Sequence, residues 1–231
     1  MLYEHIKNNY AEVSGVIESG FEFSHMIRGE KFYTVRVRSN RLSDACDLVP
    51  LLFSEKMIDV GQSYVGQQIS VNGQFRSYNR HINDHSHLIL YLHVRDYAFT
   101  DEEPTPSNMI YLNGYLCKEP VFRTTPKGKE ICELNVAVNR EYRKTDYIPC
   151  ICWGRDARFA CSLGVGSHIR LWGRIQSRKY RKRLDDQTFV IRETFEVSIN
   201  TLEELETVGF HYGKVAEGRS YYYENSARQR N

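Results

Sequence analysis

Helical spacing of apolar residues is scarce along this chain, and short runs of alternating apolar and polar positions recur instead. In the second half they fall at MIYLNGYLC (109–117), EICELNVAVN (130–139), HIRLWGRIQSR (168–178) and TFEVSI (194–199). Successive side chains of a strand point to opposite faces, so each run predicts a strand with one buried face. A fifth run, TDYIPCICWG (145–154), breaks the rule. One face carries Ile148, Cys150 and Cys152, which suits a core. The other carries Tyr147, Pro149, Ile151 and Trp153, where an exposed strand would show polar residues. Pro149 suits an edge or bulge, where its missing N–H has no ladder partner to serve. TPKG (125–128) predicts a turn, and RDARFACSL (155–163), closed by Gly164 and Gly166, predicts a short helix. Five short strands with a helix between the third and fourth predict a small closed barrel in preference to a sandwich.

The first half repeats this pattern. A shift of 99 residues matches Gly15 to Gly114, Gly29 to Gly128, Val37 to Val136, Asn40-Arg41 to Asn139-Arg140, and DLVP (47–50) to DYIP (146–149). After a slip of one residue, VGQQISVNGQFRS (65–77) lies over VGSHIRLWGRIQS (165–177). The chain is therefore expected to be all-β, with two tandem five-stranded barrels, each with a short helix between strands 3 and 4. The first is expected over 1–99, an acidic, Pro-containing linker over 100–107, the second barrel over 108–200, and a loosely ordered tail over 201–231. TLEELE (201–206) alone in that tail suggests a turn of helix.

Composition excludes some classes. Hydrophobic content of 41% and charged content of 26% fit a globular protein, not a disordered one. MLYEHIKNNY has no apolar run, so neither a secretion signal nor a membrane anchor is expected, and a bacterial cytoplasmic location is. Cys46, Cys117, Cys132, Cys150, Cys152 and Cys161 lack CxxC spacing and read as reduced thiols, mostly in the core. The net charge of +2 hides a division. Residues 1–107 hold 10 Lys and Arg against 14 Asp and Glu, whereas residues 108–183 hold 16 against 6. The second half is built to sit near anions.

The chemistry concentrates there too. GRIQSRKYRKRLDDQ (173–187) sets Arg174, Arg178, Lys179, Arg181, Lys182 and Arg183 around Tyr180 in one hairpin. Every nucleobase has a flat π-face, so exposed rings bind any sequence, while neighbouring cations displace counterions from phosphates. His81, His85, His87 and His93 lack convergent spacing, and Asp185-Asp186 read as a hairpin turn, so no metal and no other cofactor is expected. No catalytic motif stands in a supporting context, so an enzyme and a small-molecule substrate are not expected.

Residues 108–200 resemble the bacterial single-stranded DNA-binding protein family, through NMIYLNGYLCKEPVFRTTPKGKE, LNVAVNREY, TDYIPCICWG, VGSHIRLWGRIQSRKY and the closing strand. The resemblance of residues 10–97 is weaker and runs mainly through their alignment to the second copy. It implies OB-fold barrels and sequence-independent binding of single-stranded DNA in replication, recombination or repair. The stacking positions it implies are Tyr142, Tyr147, Trp153 and Tyr180, and the phosphate-facing ones Arg123, Arg143, Arg155, Arg178 and Lys179, to which the hairpin adds Arg174 and Arg181. A homodimer, giving four barrels, and contacts with replication or repair proteins are implied by the same analogy. The closing YYYENSARQRN does not match the acidic recruiting peptide with which the family usually ends, so the first barrel or TLEELE is expected to substitute.

The first copy departs where it counts. Tyr142, Tyr147 and Trp153 align with Ser43, Leu48 and Ser54, Tyr180 with Arg80, Arg123 with Ser24 and Arg155 with Glu55. It is expected to be a structural or interaction module, although Phe32, Tyr33, Phe75 and Tyr78 could extend a path for the nucleic acid. Two alternatives stay open: an interaction scaffold of a primosome-like or mobile-element complex, and binding of single-stranded RNA.

Overall fold

The computed structural model describes residues 8–205 except 42, 44, 83–84, 103–107, 141–143 and 184–188, and only the backbone of 80–82, 85–86, 179–183 and 191–192. The first copy forms β1 (Asn9–Ile17), β2 (Glu22–Ile27), β3 (Glu30–Asn40), β4 (Cys46–Ser54), β5 (Gln68–Ile82) and β6 (His85–Phe99). The second forms β7 (Asn108–Leu116), β8 (Val121–Thr124), β9 (Glu130–Asn139), β10 (Thr145–Trp153), α1 (Arg155–Ser162), β11 (His168–Arg183) and β12 (Phe189–Glu204).

Each copy closes on itself. β1 pairs with both β3 and β5, and β4 meets β6 in parallel; β7 pairs with both β9 and β11, and β10 meets β12 in parallel. Closure leaves the period-two pattern one inner face, filled by Val35, Val37, Leu51, Phe53, Ile69 and Leu92 in the first barrel and by Val136, Val138, Ile148, Cys150, Ile169 and Val197 in the second. The strand before the closing one bends at the same place in both, between Asn72 and Gly73 and between Trp172 and Gly173. A Cβ on Gly73 would stand 2.2 Å from the His93 carbonyl oxygen, and one on Gly173 2.3 Å from that of Ser198. The bend therefore requires glycine.

The structure corrects three expectations. The first barrel has turns, not a helix, over residues 55–62. There Ser54 Oγ accepts from the Lys56 N–H and Asp59 Oδ1 from the Gly61 N–H, local bonds that compete with a helical ladder. TLEE does not start a helix or a tail: residues 201–204 continue β12, with Leu202 opposite Leu171 and packed against the core. Residues 206–231 lie outside the described residues. VFRT (121–124), unassigned from sequence, is an edge strand on β9; its side chains are all exposed, so no alternation betrays it.

The two barrels join edge to edge through β1 and β7, antiparallel with Tyr10 opposite Tyr111, so that one strand order runs through twelve strands. Two crossed ties flank this seam. Asp146 accepts from Arg140 and, across the seam, from the Ser77 backbone N–H at 2.6 Å, while Ser77 Oγ accepts from the Tyr147 N–H at 2.8 Å. Asp47 does the same with Arg41, the Ser177 N–H at 3.1 Å, and Ser177 Oγ accepting from Leu48 at 3.2 Å. Within each barrel a matching asparagine holds the seam strand to its neighbour: Asn9 bridges the N–H and carbonyl of Phe75, and Asn108 those of Ile175. The Arg, Asp and Ser matches of the internal repeat are thus the residues that form the ties between the barrels.

Candidate nucleic-acid interface

The anomalous run of the sequence is β10. Ile148, Cys150 and Cys152 point into the barrel, and on the outer face Tyr147 is 46% and Trp153 39% exposed. Tyr147 stands opposite Ala137, whose methyl leaves its ring uncovered, and Trp153 stands opposite Ile131. The Trp153 indole N–H donates to Ser198 Oγ at 3.2 Å, which fixes the ring against β12. Ile151, placed by alternation on the same face, is buried instead, because it lies midway along β10 between Glu133 of β9 and Ser198 of β12.

Cations flank these rings. Arg123 of β8 lies in the same cross-strand row as Ile131 and Trp153, with its guanidinium 3.3 Å from Glu133. Arg155 is exposed at the start of α1. Arg178, 56% exposed, stands 3.7 Å from Glu196. The Arg123–Glu133 pair, exposed on both sides, is worth about 0–1 kcal/mol, so a phosphate can replace that carboxylate at little cost. Lys179, Tyr180 and Arg181 occupy β11 opposite Glu193, Arg192 and Ile191, which places Tyr180 in the same alternation as Gln176 and Arg178. Tyr142 and Arg143 lie outside the described residues, as do the side chains of Lys179, Tyr180 and Arg181. Arg174 stands apart from this group. It bonds Gln176 and faces Asp47 of the first barrel at 3.9 Å, and burial beside Arg41 lowers its pKa.

The matching face of the first barrel is closed. Phe32 stands opposite Ser54 in the register that sets Ile131 opposite Trp153, and Leu52 takes the place of Ile151. Phe32, Leu52 and Tyr91 are buried there with Ile89 in a small core of their own, outside the barrel. The His25 ring of β2 lies over them, parallel to Phe32 (centroids 5.2 Å apart, 11° between planes) and to Tyr78 (6.1 Å, 9°). Arg76 Nε and His93 Nδ1 are buried beside this stack without a hydrogen-bond partner. Burial, reinforced by Arg76, Arg95, Arg140 and His25, pushes the His93 pKa down to about 4.

Cys132, Cys150 and Cys152 are buried thiols, and Cys161 Sγ lies 2.7 Å from that of Cys132. Burial pushes the Cys152 pKa up to about 12, which holds it as the neutral thiol at physiological pH. Cys46 is exposed, unlike the other cysteines. Sequence reasoning missed the seam ties and the His25 stack. The Arg, Asp and Ser matches of the repeat were the available signal for the ties; the stack joins β2, β3, β5 and β6 and has none.

Two joined OB barrels, one with exposed rings edged by arginines and the other with the same face covered, define a tandem OB-fold protein. The model of the Single-strand binding protein family matches residues 107–204. The single-stranded DNA-binding protein of Oceanobacillus iheyensis is 33% identical over 118 residues, covering 48% of this chain and 71% of that protein. Single-stranded DNA-binding protein 2 of Streptococcus agalactiae is 36% identical over 103 residues, covering 42% and 77%. The chain belongs to the single-strand binding protein family. In fold it is similar over most of its length to wild-type single-stranded DNA-binding protein from Thermus aquaticus, with a TM-score of 0.62 at 18% identity, covering 89% of this chain and 96% of that one.

Proposed function

We propose that this chain binds single-stranded DNA without sequence preference and protects it during replication, recombination or repair. The outer face of the second barrel does the binding. Tyr147, Trp153, Tyr142 and Tyr180 stack bases, and Arg123, Arg143, Arg155, Arg178, Lys179 and Arg181 neutralise phosphates. Arg174 serves the seam beside Asp47 more than the strand. One observation carries the reading: β10 turns two large rings, Tyr147 and Trp153, to solvent on the outer face, where a half-buried strand should be polar. Stacking contributes about 1–3 kcal/mol per base whatever its identity, which suits a binder that must accept any strand. The chemistry needed is non-covalent, so the proposal includes no catalysis and no cofactor. Two chains would bring four barrels together, the number the family generally assembles.

The test is a titration with oligo-dT followed by quenching of Trp153 fluorescence at rising salt, with Trp172→Phe removing the second tryptophan. Saturable quenching that weakens with salt is expected. Absence of quenching at low salt would remove the reading, and tighter binding of oligo-U than of oligo-dT would redirect it to RNA.

A further inference from the structure

The stack on the first barrel has the form of a filled site. A flat heteroaromatic ring lies parallel to two protein rings, with Tyr91 a third neighbour at 6.5 Å and 29°. Below it are Tyr91 and Arg76, directly opposite each other across the β5–β6 ladder, and His93 opposite Gln74. Arg76 Nε and His93 Nδ1 are polar, buried and unpartnered, a condition that costs about 1–3 kcal/mol per group and ordinarily marks a missing partner. Rings that accept a flat guest, beside a donor with nothing to donate to, are the components that would hold a nucleotide. The guest in this structure is the protein's own His25, tethered by a 2.9 Å bond between its Nδ1 and Ser24 Oγ and carried on the edge strand β2.

The location fits as well. Tyr78, 50% exposed, follows Ser77, whose hydroxyl accepts from the Tyr147 backbone. The filled stack and the open rings of β10 therefore flank one tie across the seam.

We propose that His25 stands in for a base, and that the first barrel carries a latent single-strand site kept shut by its own β2 strand. This rests on the reading of the second barrel as the open site. Displacing the ring frees Phe32, Tyr78 and Tyr91 to stack and brings a phosphate within reach of Arg76, so that the chain covers a longer stretch of DNA. The occluded length then depends on β2 and not only on the second barrel.

The experiment measures occluded length by fluorescence titration with long poly-dT, and maps ultraviolet crosslinks from dT oligomers, for the wild type and His25→Ala. The expected result is a gain of about four nucleotides or more in His25→Ala, with new crosslinks at Tyr78 or Tyr91 that the wild type lacks. Should the alanine variant lose the fold, His25→Gln is used, which keeps bulk and a polar group beside Ser24 but removes the ring. An unchanged length without new crosslinks in the folded variant overturns the proposal. So do wild-type crosslinks at Tyr78 or Tyr91, since the slot would already be open. In both cases binding through Trp153 persists, so the reading of the second barrel survives; wild type that fails to bind poly-dT removes both.

Discussion

The two barrels share a backbone plan almost rung for rung and differ in what they show to solvent. At equivalent ladder positions the first pairs Phe32 with Ser54 and Arg38 with Leu48, while the second pairs Ile131 with Trp153 and Ala137 with Tyr147. The large ring has moved from one strand to the other, and with it the face has changed from sealed to open. Inward positions, bends and seam ties tolerate no such exchange, because each is fixed by a neighbour across the barrel or the seam. A duplicated fold can thus keep its framework and convert one of two identical faces to another use.

The ties give the largest expected effect. Asp47 and Asp146 have side chains only 1% exposed, each holding an arginine of its own barrel and a backbone N–H of the other. Removing one partner leaves a part-buried guanidinium and an N–H unsatisfied. Asp146→Ala and Asp47→Ala should each cost about 3–5 kcal/mol in urea denaturation. Asp47→Ala should be the worse, since it leaves Arg41 and Arg174 side by side without their carboxylate, whereas Arg140 keeps the Ser77 carbonyl at 2.8 Å. A cost below about 1 kcal/mol for either would show that the matching ties are not energetically equivalent.

Acid should separate the faces next. The position opposite Gln74 in the first barrel is His93, and its counterpart opposite Arg174 in the second is Ser198. With the His93 pKa pushed from 6.5 to about 4, the unfolded chain takes up a proton that the folded one refuses. Stability from this group is complete above about pH 6.5 and is lost as the pH falls toward about 4. The loss is about 2 kcal/mol by pH 5 and about 3 kcal/mol at its limit. His25, lowered by burial, acts in the same direction. Denaturation midpoints of the wild type and His93→Gln across pH 7.5 to 4.5 check this: the variant should lose most of the slope.

Much of this was legible in the sequence. Alternation and turn residues located five of the six strands of the second barrel, and TDYIPCICWG marked its open face by having no polar side. The repeat predicted the second copy and, in its Arg, Asp and Ser matches, contained the seam before any geometry explained them. What escaped was settled by partners far along the chain. TLEE reads as helix by spacing, yet Leu202 is held opposite Leu171 by a strand thirty residues earlier. Arg174 reads as one more cation of a basic hairpin, and only the neighbouring barrel places Asp47 before it. The closed face of the first barrel unites five strands and could not be read from any one of them.

Binding tests the comparison directly. Trp153→Ala and Tyr147→Ala should each weaken oligo-dT binding by about 1–3 kcal/mol. Tyr33→Ala and Tyr78→Ala, on the first barrel, should change it by less than about 0.5 kcal/mol. Isothermal titration at one fixed salt concentration compares the four, and equal losses on both barrels would abolish the division between open and closed faces.

The smallest effect is the most specific. A cation that neutralises one phosphate adds about 0.7 to the slope of log affinity against log salt on a single strand. Arg123 shares a row with Trp153, and its pairing with Glu133 at 3.3 Å is exposed and therefore exchangeable. Arg123→Ala should reduce that slope by about 0.7 while altering affinity only modestly at high salt. Arg95 is also exposed, but it belongs to the closed barrel, where it reaches Gln74 at 3.4 Å. Arg95→Ala should leave the slope of the wild type unchanged. In a chain that also carries His25→Ala it should begin to matter, because the strand would then cross the first face. A slope that falls with Arg95→Ala alone would mean that DNA already lies over the first barrel, whatever the position of the His25 ring.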